Sequence, residues 1–390
     1  MFNLARTDRS ILAHWWWTID KWILLTVFLL IGVGAILIMA ASPSVADKID
    51  DLDSFHFVRR QLLFCGPAII LLISVSLMNP LLIRRLGVIL FFAFFILTIF
   101  TIMFGPNVNG AHRWLFIGGM QIQPSEFIKP SMAIFIAWML SEKNYDENFP
   151  GYKISFLTVF LVLLILFLQP DIGMALVVGA FWFVQMFVAG LSLYLITALA
   201  LIGMVVGIAS YFIFQHVQQR VDRFLDSSTG DSYQVDTALN AFDNGGLFGT
   251  GPGEGVVKAI LPDAHADFIF AVAGEEFGLI AVLVIIFLFS FVVLRGFSKI
   301  LNEKDSFVLL ACTGILTQLG LQAVINMGVN MRLLPAKGMT LPFISYGGSS
   351  LLALAFAMGV VIALTRKRVG LRLIDPFGRE SSRKFSREIL

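Results

Sequence analysis

Long apolar stretches alternate with short polar ones along nearly the whole chain. Apolar runs cover residues 22–42, 61–79, 83–104, 126–141, 154–168, 171–189, 191–214, 268–294, 306–329 and 343–365. Most approach the roughly 20 residues that an α-helix needs to cross the hydrocarbon core of a bilayer. Backbone groups inside a bilayer must satisfy one another, so each run predicts a helix. The pattern predicts an all-α polytopic membrane protein with about ten transmembrane helices. The runs 126–141 and 154–168 are short and are interrupted by Pro130, Trp138 and Ser141, as expected of helices facing a bundle interior or cavity. The boundary between 171–189 and 191–214 rests on Gly190 and its neighbours. The polar segments complete the plan. Residues 1–21 form a cytoplasmic N-terminal segment, 22–365 a transmembrane domain and 366–390 a basic cytoplasmic tail. The longest interruption, 215–267, predicts a large extracytoplasmic loop between helices 7 and 8.

Composition strengthens this reading. Hydrophobic residues make up 58% of the 390 and charged residues 14%, with 38 Phe, whereas a soluble domain is about half apolar and a quarter charged. Lipid must solvate the excess. A net charge of +2 gives no reason to expect nucleic acid as a partner. Cys65 and Cys312 both lie in apolar runs, which suggests neither a disulfide framework nor a metal cluster. Most of the 28 Lys and Arg fall on the side shared by the N-terminus and the tail, including Arg84, Arg85, Lys143, Lys153, Arg295 and Lys299. Positive charge is retained inside, so both termini are expected in the cytoplasm. The tail suits contact with anionic membrane lipid as well as simple retention of topology. Ala41 to Ala46 resembles a signal-peptide cleavage site, but a run of this length followed by many more spans is expected to stay as an anchor.

Polar residues at apolar depth carry the functional information. Most gather on the external side. Arg59 and Arg60 head the second run, where one of them suits a snorkelling anchor. Asn109 to Leu115 includes Arg113, and Gln123 to Pro130 follows. Pro124 and Ser125 look like a helix start, with Glu126 and Lys129 three apart on one face. They suit either a local ion pair or a functional one. Gln169-Pro170-Asp171 reads as a tight turn in which Asp171 could cap the next helix. The long loop opens with Val217, Val221, Phe224 and Leu225 at the spacing of an amphipathic surface helix, repeated by Val235, Ala238, Leu239 and Phe242. Glycines then cluster from Gly245 to Gly255. Glu254 breaks the G-x-G-x-x-G pattern, so a loop making close backbone approaches is expected rather than a nucleotide site. Leu261 to Phe268 closes the loop. His265 and Asp267 sit two apart there, too few ligands for a zinc site. Asp267, at the membrane interface, is poised for desolvation to raise its pKa toward that of a working base.

Five segments together carry a resemblance: Asn109-Gly110-Ala111-His112-Arg113-Trp114, Gln123-Pro124-Ser125-Glu126, Gln169-Pro170-Asp171-Ile172-Gly173, Leu261 to Phe268, and Leu341-Pro342-Phe343-Ile344-Ser345-Tyr346-Gly347-Gly348-Ser349-Ser350. Their order and the ten-run layout resemble the SEDS family of shape, elongation, division and sporulation proteins, from about residue 20 to 370. Gly251 to Gly255, Asn326 to Asn330 and Leu334 to Thr340 are similar to the family's division branch rather than its elongation branch. Ala266 departs from the family, which usually has Thr there.

The resemblance implies a peptidoglycan glycosyltransferase that polymerises lipid II on the outer face of the membrane at the division septum. It implies Asp267 as the base that takes a proton from the acceptor hydroxyl, and Lys129 and Glu126 as a polar pair that orients Asp267 or meets the pyrophosphate. Arg60 and Arg113 suit phosphate oxygens because guanidinium binds them in a bidentate manner. Gln123, His265 and Ser349, within the matching segments, are expected as further substrate contacts. No cofactor is implied with certainty, and a divalent cation remains an option. Implied partners are a class B penicillin-binding protein acting as septal transpeptidase and other divisome proteins. A single inverting displacement is expected, although Asp263, Glu126 and Asp171 leave a second carboxylate available for a retaining route. Two other readings stay open: a lipid II flippase or transporter, which would place its key charges nearer the midplane, and a non-catalytic scaffold for a transpeptidase.

Overall fold

The computed structural model describes residues 10–46, 48, 53–107, 111–117, 120–143, 146–225, 233–335 and 338–367. The sequence features at Asn109, Gly110, Ala336, Lys337 and 368–390, and the side chains of Phe224 and Leu225, lie outside the described residues. Each apolar run falls on a helix: α2 (Lys21–Ala46), α3 (His56–Ser76), α4 (Pro80–Phe104), α5 (Pro124–Glu142), α6 (Gly151–Leu168), α7 (Ile172–Val188), α8 (Leu193–Ile213), α11 (Ile269–Ile300), α12 (Ser306–Asn330) and α13 (Gly348–Leu364). By length and composition 7 of them can cross a membrane, while Ile172–Val188 and Gly348–Leu364 are apolar but shorter. Before them stands α1 (Ile11–Thr18). In the long loop lie α9 (Gln215–Leu225) and α10 (Tyr233–Gly245), the two amphipathic segments expected there, followed by a 3-10 turn at Val257–Ala259.

Local chemistry explains the boundaries. Asn79 caps α4 by accepting from the Leu82 amide at 2.8 Å, and Pro80 fills the first turn, where its missing N–H costs nothing. Asp305 caps α12 through the Phe307 amide at 2.9 Å. Asp171 caps α7 through the Met174 amide at 3.2 Å, as its place in the turn suggested. Gly190, at φ 83°, makes the turn between α7 and α8 and settles that boundary.

One sequence expectation needs correction. The last run was expected to be helical from 343, but α13 begins at Gly348. Phe343 has φ 64°, and Ser345 spends its hydroxyl on the Ala266 carbonyl at 2.6 Å, so this apolar stretch is a loop. The expected all-α architecture carries one small addition among the described residues, a two-stranded antiparallel pair of β1 (Leu115–Ile117) and β2 (Met120–Ile122) that precedes α5.

The centre of the bundle is α5, α12 and α13. Almost all of α13 is buried, packed chiefly on α3, and α5 packs on α4 and α12. At the other extreme α8 is nearly all exposed. Close approach needs small residues: a Cβ at Gly34 of α2 would lie 2.6 Å from the Phe343 carbonyl oxygen, which seats α2 against the 341–347 loop.

Candidate active site

The site is built from three features that α12 brings together, on α5, on α12 itself and in the loop before α11. The first is on α5. Glu126 and Lys129 share a face, and the Lys129 ammonium lies 3.0 Å from a Glu126 carboxylate oxygen, both side chains buried. Lys129 also donates to Gln322 Oε1 at 2.9 Å. Glu126 stands in the first turn of α5, where the helix N-terminus favours a carboxylate.

The second feature is a stripe of neutral amides on α12. Gln318, Gln322, Asn326 and Asn330 recur every fourth residue and all are buried. Spacing of four stacks them on one face. Gln322 takes Lys129 on its oxygen and donates its Nε2 to the Thr340 carbonyl at 3.1 Å. One turn above, about 6 Å along the axis, Asn326 donates to the Asp267 carbonyl at 2.8 Å and the Met339 carbonyl at 2.6 Å. Asn330 adds a second donor to the Asp267 carbonyl at 3.0 Å and accepts from the Ala271 amide at 3.2 Å.

The third feature is the loop that carries Asp267. Its backbone is held by the 341–350 segment: the Tyr346 amide donates to the His265 carbonyl at 2.9 Å, and Ser345 binds the Ala266 carbonyl. Ser345 needs nothing from residue 266 but its carbonyl, so Ala266 leaves this clasp intact. Asp267 is half-buried. A Cβ at Gly338 would come within 3.3 Å of its Oδ2, so a bare backbone borders the carboxylate. His265 is wedged between Phe57 and Tyr346, with ring centroids 4.3 and 5.3 Å away. Burial pulls its pKa from 6.5 to about 4, with Asp263 opposing, so the ring is neutral at neutral pH.

The structure brings Asp267, Lys129 and Glu126 together through α12, and it seats Gln123 and Ser349 beside them. The Gln123 amide donates to Ser349 Oγ at 3.1 Å, which ties the head of α5 to the head of α13. Arg60 is exposed at the head of α3, the helix whose Phe57 packs on His265. Arg113 spends its donors on a turn: it binds the Pro170 carbonyl at 2.6 Å and the Gln169 carbonyl at 3.3 Å, with Asp171 at 3.6 Å. Gln169 in turn donates to Thr101 and to the His112 carbonyl. The described residues contain no group of three or more His, Cys, Asp or Glu that could hold a metal ion.

Sequence reasoning missed a second charged cluster. Glu275 and Glu276 on α11 are fully buried. Glu275 accepts from the Val257 and Lys258 amides at 2.7 and 2.8 Å and from Asn244 at 3.0 Å. Glu276 forms an ion pair with buried Lys258, which also donates to the Ala40 carbonyl at 3.1 Å. Beyond them α11 kinks at Gly278, φ 74°. The glycine loop plugs this kink: the Thr250 and Gly251 amides donate to the Glu275 and Glu276 carbonyls at 2.9 and 3.1 Å. The glycines therefore serve close backbone approach, as expected. Two adjacent acids inside an apolar run were the available signal, because such a pair is costly in a membrane without partners.

Residues 21–369 match the model of the FtsW, RodA and SpoVE family of cell cycle proteins. The chain belongs to this family. It is 41% identical over 366 residues to a probable peptidoglycan glycosyltransferase FtsW of Caulobacter vibrioides, covering 94% of each chain. It is 34% identical to stage V sporulation protein E of Bacillus subtilis, covering 89% of this chain and 97% of that one. Among solved structures it resembles a chain of a peptidoglycan synthase complex that coordinates polymerization and crosslinking, with TM-score 0.74, 26% identity, and 89% of this chain and 97% of that one covered. It also resembles the rod shape determining protein RodA of Thermus thermophilus, with TM-score 0.65, 26% identity, and 90% and 97% covered.

Proposed function

We propose that the chain is a peptidoglycan glycosyltransferase that polymerises lipid II, with Asp267 as general base. The observation that carries this is that one neutral helix face holds both residues: Asn326 and Asn330 bind the backbone carbonyl of half-buried Asp267, and Gln322, one turn away, binds the buried Lys129 ammonium. Glycan extension needs a base for the acceptor hydroxyl and a cation for the departing pyrophosphate. Asp267 takes the proton as the acceptor oxygen attacks the anomeric carbon; the glycosyl–phosphate bond breaks and the pyrophosphate leaves. Lys129, held by Glu126 and Gln322, supplies positive potential beneath. Neutral His265 adds no competing charge, and Arg60, exposed at the rim, is available to phosphate oxygens. A single displacement inverts the anomeric centre. A divalent cation, if one is used, belongs with the substrate pyrophosphate.

The site faces the extracytoplasmic side, with both termini in the cytoplasm; the distribution of Lys and Arg supports this. The family relatives named FtsW support action at the division septum, and the likeness to a peptidoglycan synthase complex supports a class B transpeptidase partner. The test is polymerisation of lipid II by purified protein, with and without that transpeptidase. Wild type is expected to form glycan polymer, and Asp267→Asn to lose at least about 100-fold in rate. Equal polymer from Asp267→Asn removes the base assignment. Passage of lipid II across vesicles without polymer favours a transporter.

A further inference from the structure

On the membrane face opposite the Asp267 site, about 20 Å from Lys129 along α5, the start of α4 and the end of α5 enclose a cleft of about 360 Å³. Leu81 stands at its outer edge; next comes a charged belt of Arg84, Arg85 and Glu142, and the wall toward the membrane centre is apolar, with Val88, Ile89 and Trp138. The order follows from helix geometry. Arg84 and Val88, and Arg85 and Ile89, are four apart and therefore stacked on α4, and Trp138 lies one turn deeper than Glu142 on antiparallel α5.

The charges at the rim are unequal. Glu142 accepts from Arg84 at 3.2 Å and from Trp138 Nε1 at 2.7 Å on the same oxygen. Arg84 also lies 4.7 Å over the Phe307 ring, which fixes its guanidinium. Arg84 thus balances Glu142. Arg85 is exposed and makes no ion pair among the described residues. It leaves the rim one positive charge in excess. Ile89 is 65% exposed, so the cleft opens sideways to lipid rather than into the bundle.

We propose that this cleft binds one anionic phospholipid, its phosphate on Arg85 and the head of an acyl chain along Val88, Ile89 and Trp138. The match is of order as well as charge: inward from the charged belt the lining is apolar, as a lipid is inward from its phosphate. The volume suits a headgroup and the first methylenes of a chain. The proposal is independent of the Asp267 chemistry.

Native mass spectrometry of the purified full chain, titrated with phosphatidylglycerol or with phosphatidylcholine of the same acyl chains, tests it. Wild type is expected to prefer phosphatidylglycerol. Arg85→Ala is expected to weaken phosphatidylglycerol binding roughly five- to tenfold, and Arg85→Glu to abolish the preference. Both changes are at an exposed position, and thermal unfolding close to wild type confirms the fold. Lys153→Ala removes an exposed cation from the head of α6 on the same face and is expected to leave the preference unchanged. Equal weakening by Lys153→Ala, or an unchanged preference in Arg85→Ala, overturns the site. Full displacement of the lipid by millimolar inorganic phosphate overturns it too, because a plain anion site needs no chain.

Discussion

Replacing Lys129 by Met separates its chemical role from its structural one. The two side chains have similar volume, so the change removes a charge and three donors rather than packing. At 3.0 Å from Glu126 the Coulomb attraction is about 5–6 kcal/mol at an effective dielectric of 20. That gain is offset by desolvation while the pair is intact, but after the substitution Glu126 stays buried and uncompensated. Breaking a buried pair in this way costs about 3–5 kcal/mol. Gln322 Oε1 loses its donor as well, at roughly 1 kcal/mol more. Lys129→Met is therefore expected to lower the thermal unfolding midpoint by roughly 5–10 °C and to stop polymerisation. The double variant Glu126→Gln/Lys129→Met removes the orphaned carboxylate and is expected to regain most of the midpoint while staying inactive. The assays are thermal unfolding in detergent and glycan polymer from lipid II. A double variant that regains both stability and polymer refutes a chemical role for Lys129. A single variant with a wild-type midpoint refutes the buried-charge reasoning itself.

Three further outcomes follow from the geometry around Asp267. Asn326→Leu removes donors to the Asp267 and Met339 carbonyls; because Asn330 still holds the first, polymerisation is expected to fall about tenfold, with about 1–3 kcal/mol of stability lost, read by the same two assays. At Gly249, φ 84°, a Cβ would lie 2.1 Å from the Glu276 carbonyl oxygen, so Gly249→Ala is expected to lower the unfolding midpoint far more than Gly253→Ala. That residue has φ 89° but open space, and its strain is about 1–2 kcal/mol. His265 binds its proton less readily in the folded protein, so the unfolded chain takes up more protons between the two pKa values. Its contribution to stability is complete above pH 6.5 and is lost as pH falls toward 4. The slope of unfolding midpoint against pH in that window is expected to shrink in His265→Phe.

The helices were legible because a long apolar run has one stable form in a bilayer. The Glu126–Lys129 pair was legible for a similar reason, since two opposite charges three apart inside a span have few other uses. The loop at 343–347 was not, because hydrophobicity reports burial and says nothing about backbone. Phe343 and Ile344 are buried, yet they lie in a turn whose shape serves the Ala266 and His265 carbonyls. Strands of three residues, such as Leu115–Ile117, are too short for an alternating pattern to emerge. Lys258 and Glu276 were hidden by distance, since a partner 18 positions away leaves no local spacing to read. The amide stripe on α12 was readable in principle, but its four-residue period is diluted by the apolar residues between.

That stripe also explains how the loop carrying Asp267 is positioned in so apolar a protein. The span of α12 carries no Asp, Glu, Lys or Arg, yet it organises both charged parts of the site. An additional ion at this depth would cost several kcal/mol and shift the balance between Glu126 and Lys129. Primary amides avoid this, because each supplies both donor and acceptor without net charge. Gln322 uses its oxygen for Lys129 and its nitrogen for Thr340, while Asn326 and Asn330 use nitrogen for the Asp267 carbonyl. The loop is thus fixed by its backbone, and the Asp267 carboxylate keeps its half-buried position at the mouth of the site. A helix of neutral amides thus fixes the spacing along its axis between the Asp267 backbone and Lys129, and the proposed glycosyl transfer, with Asp267 as base and Lys129 as cation, requires that spacing to be set.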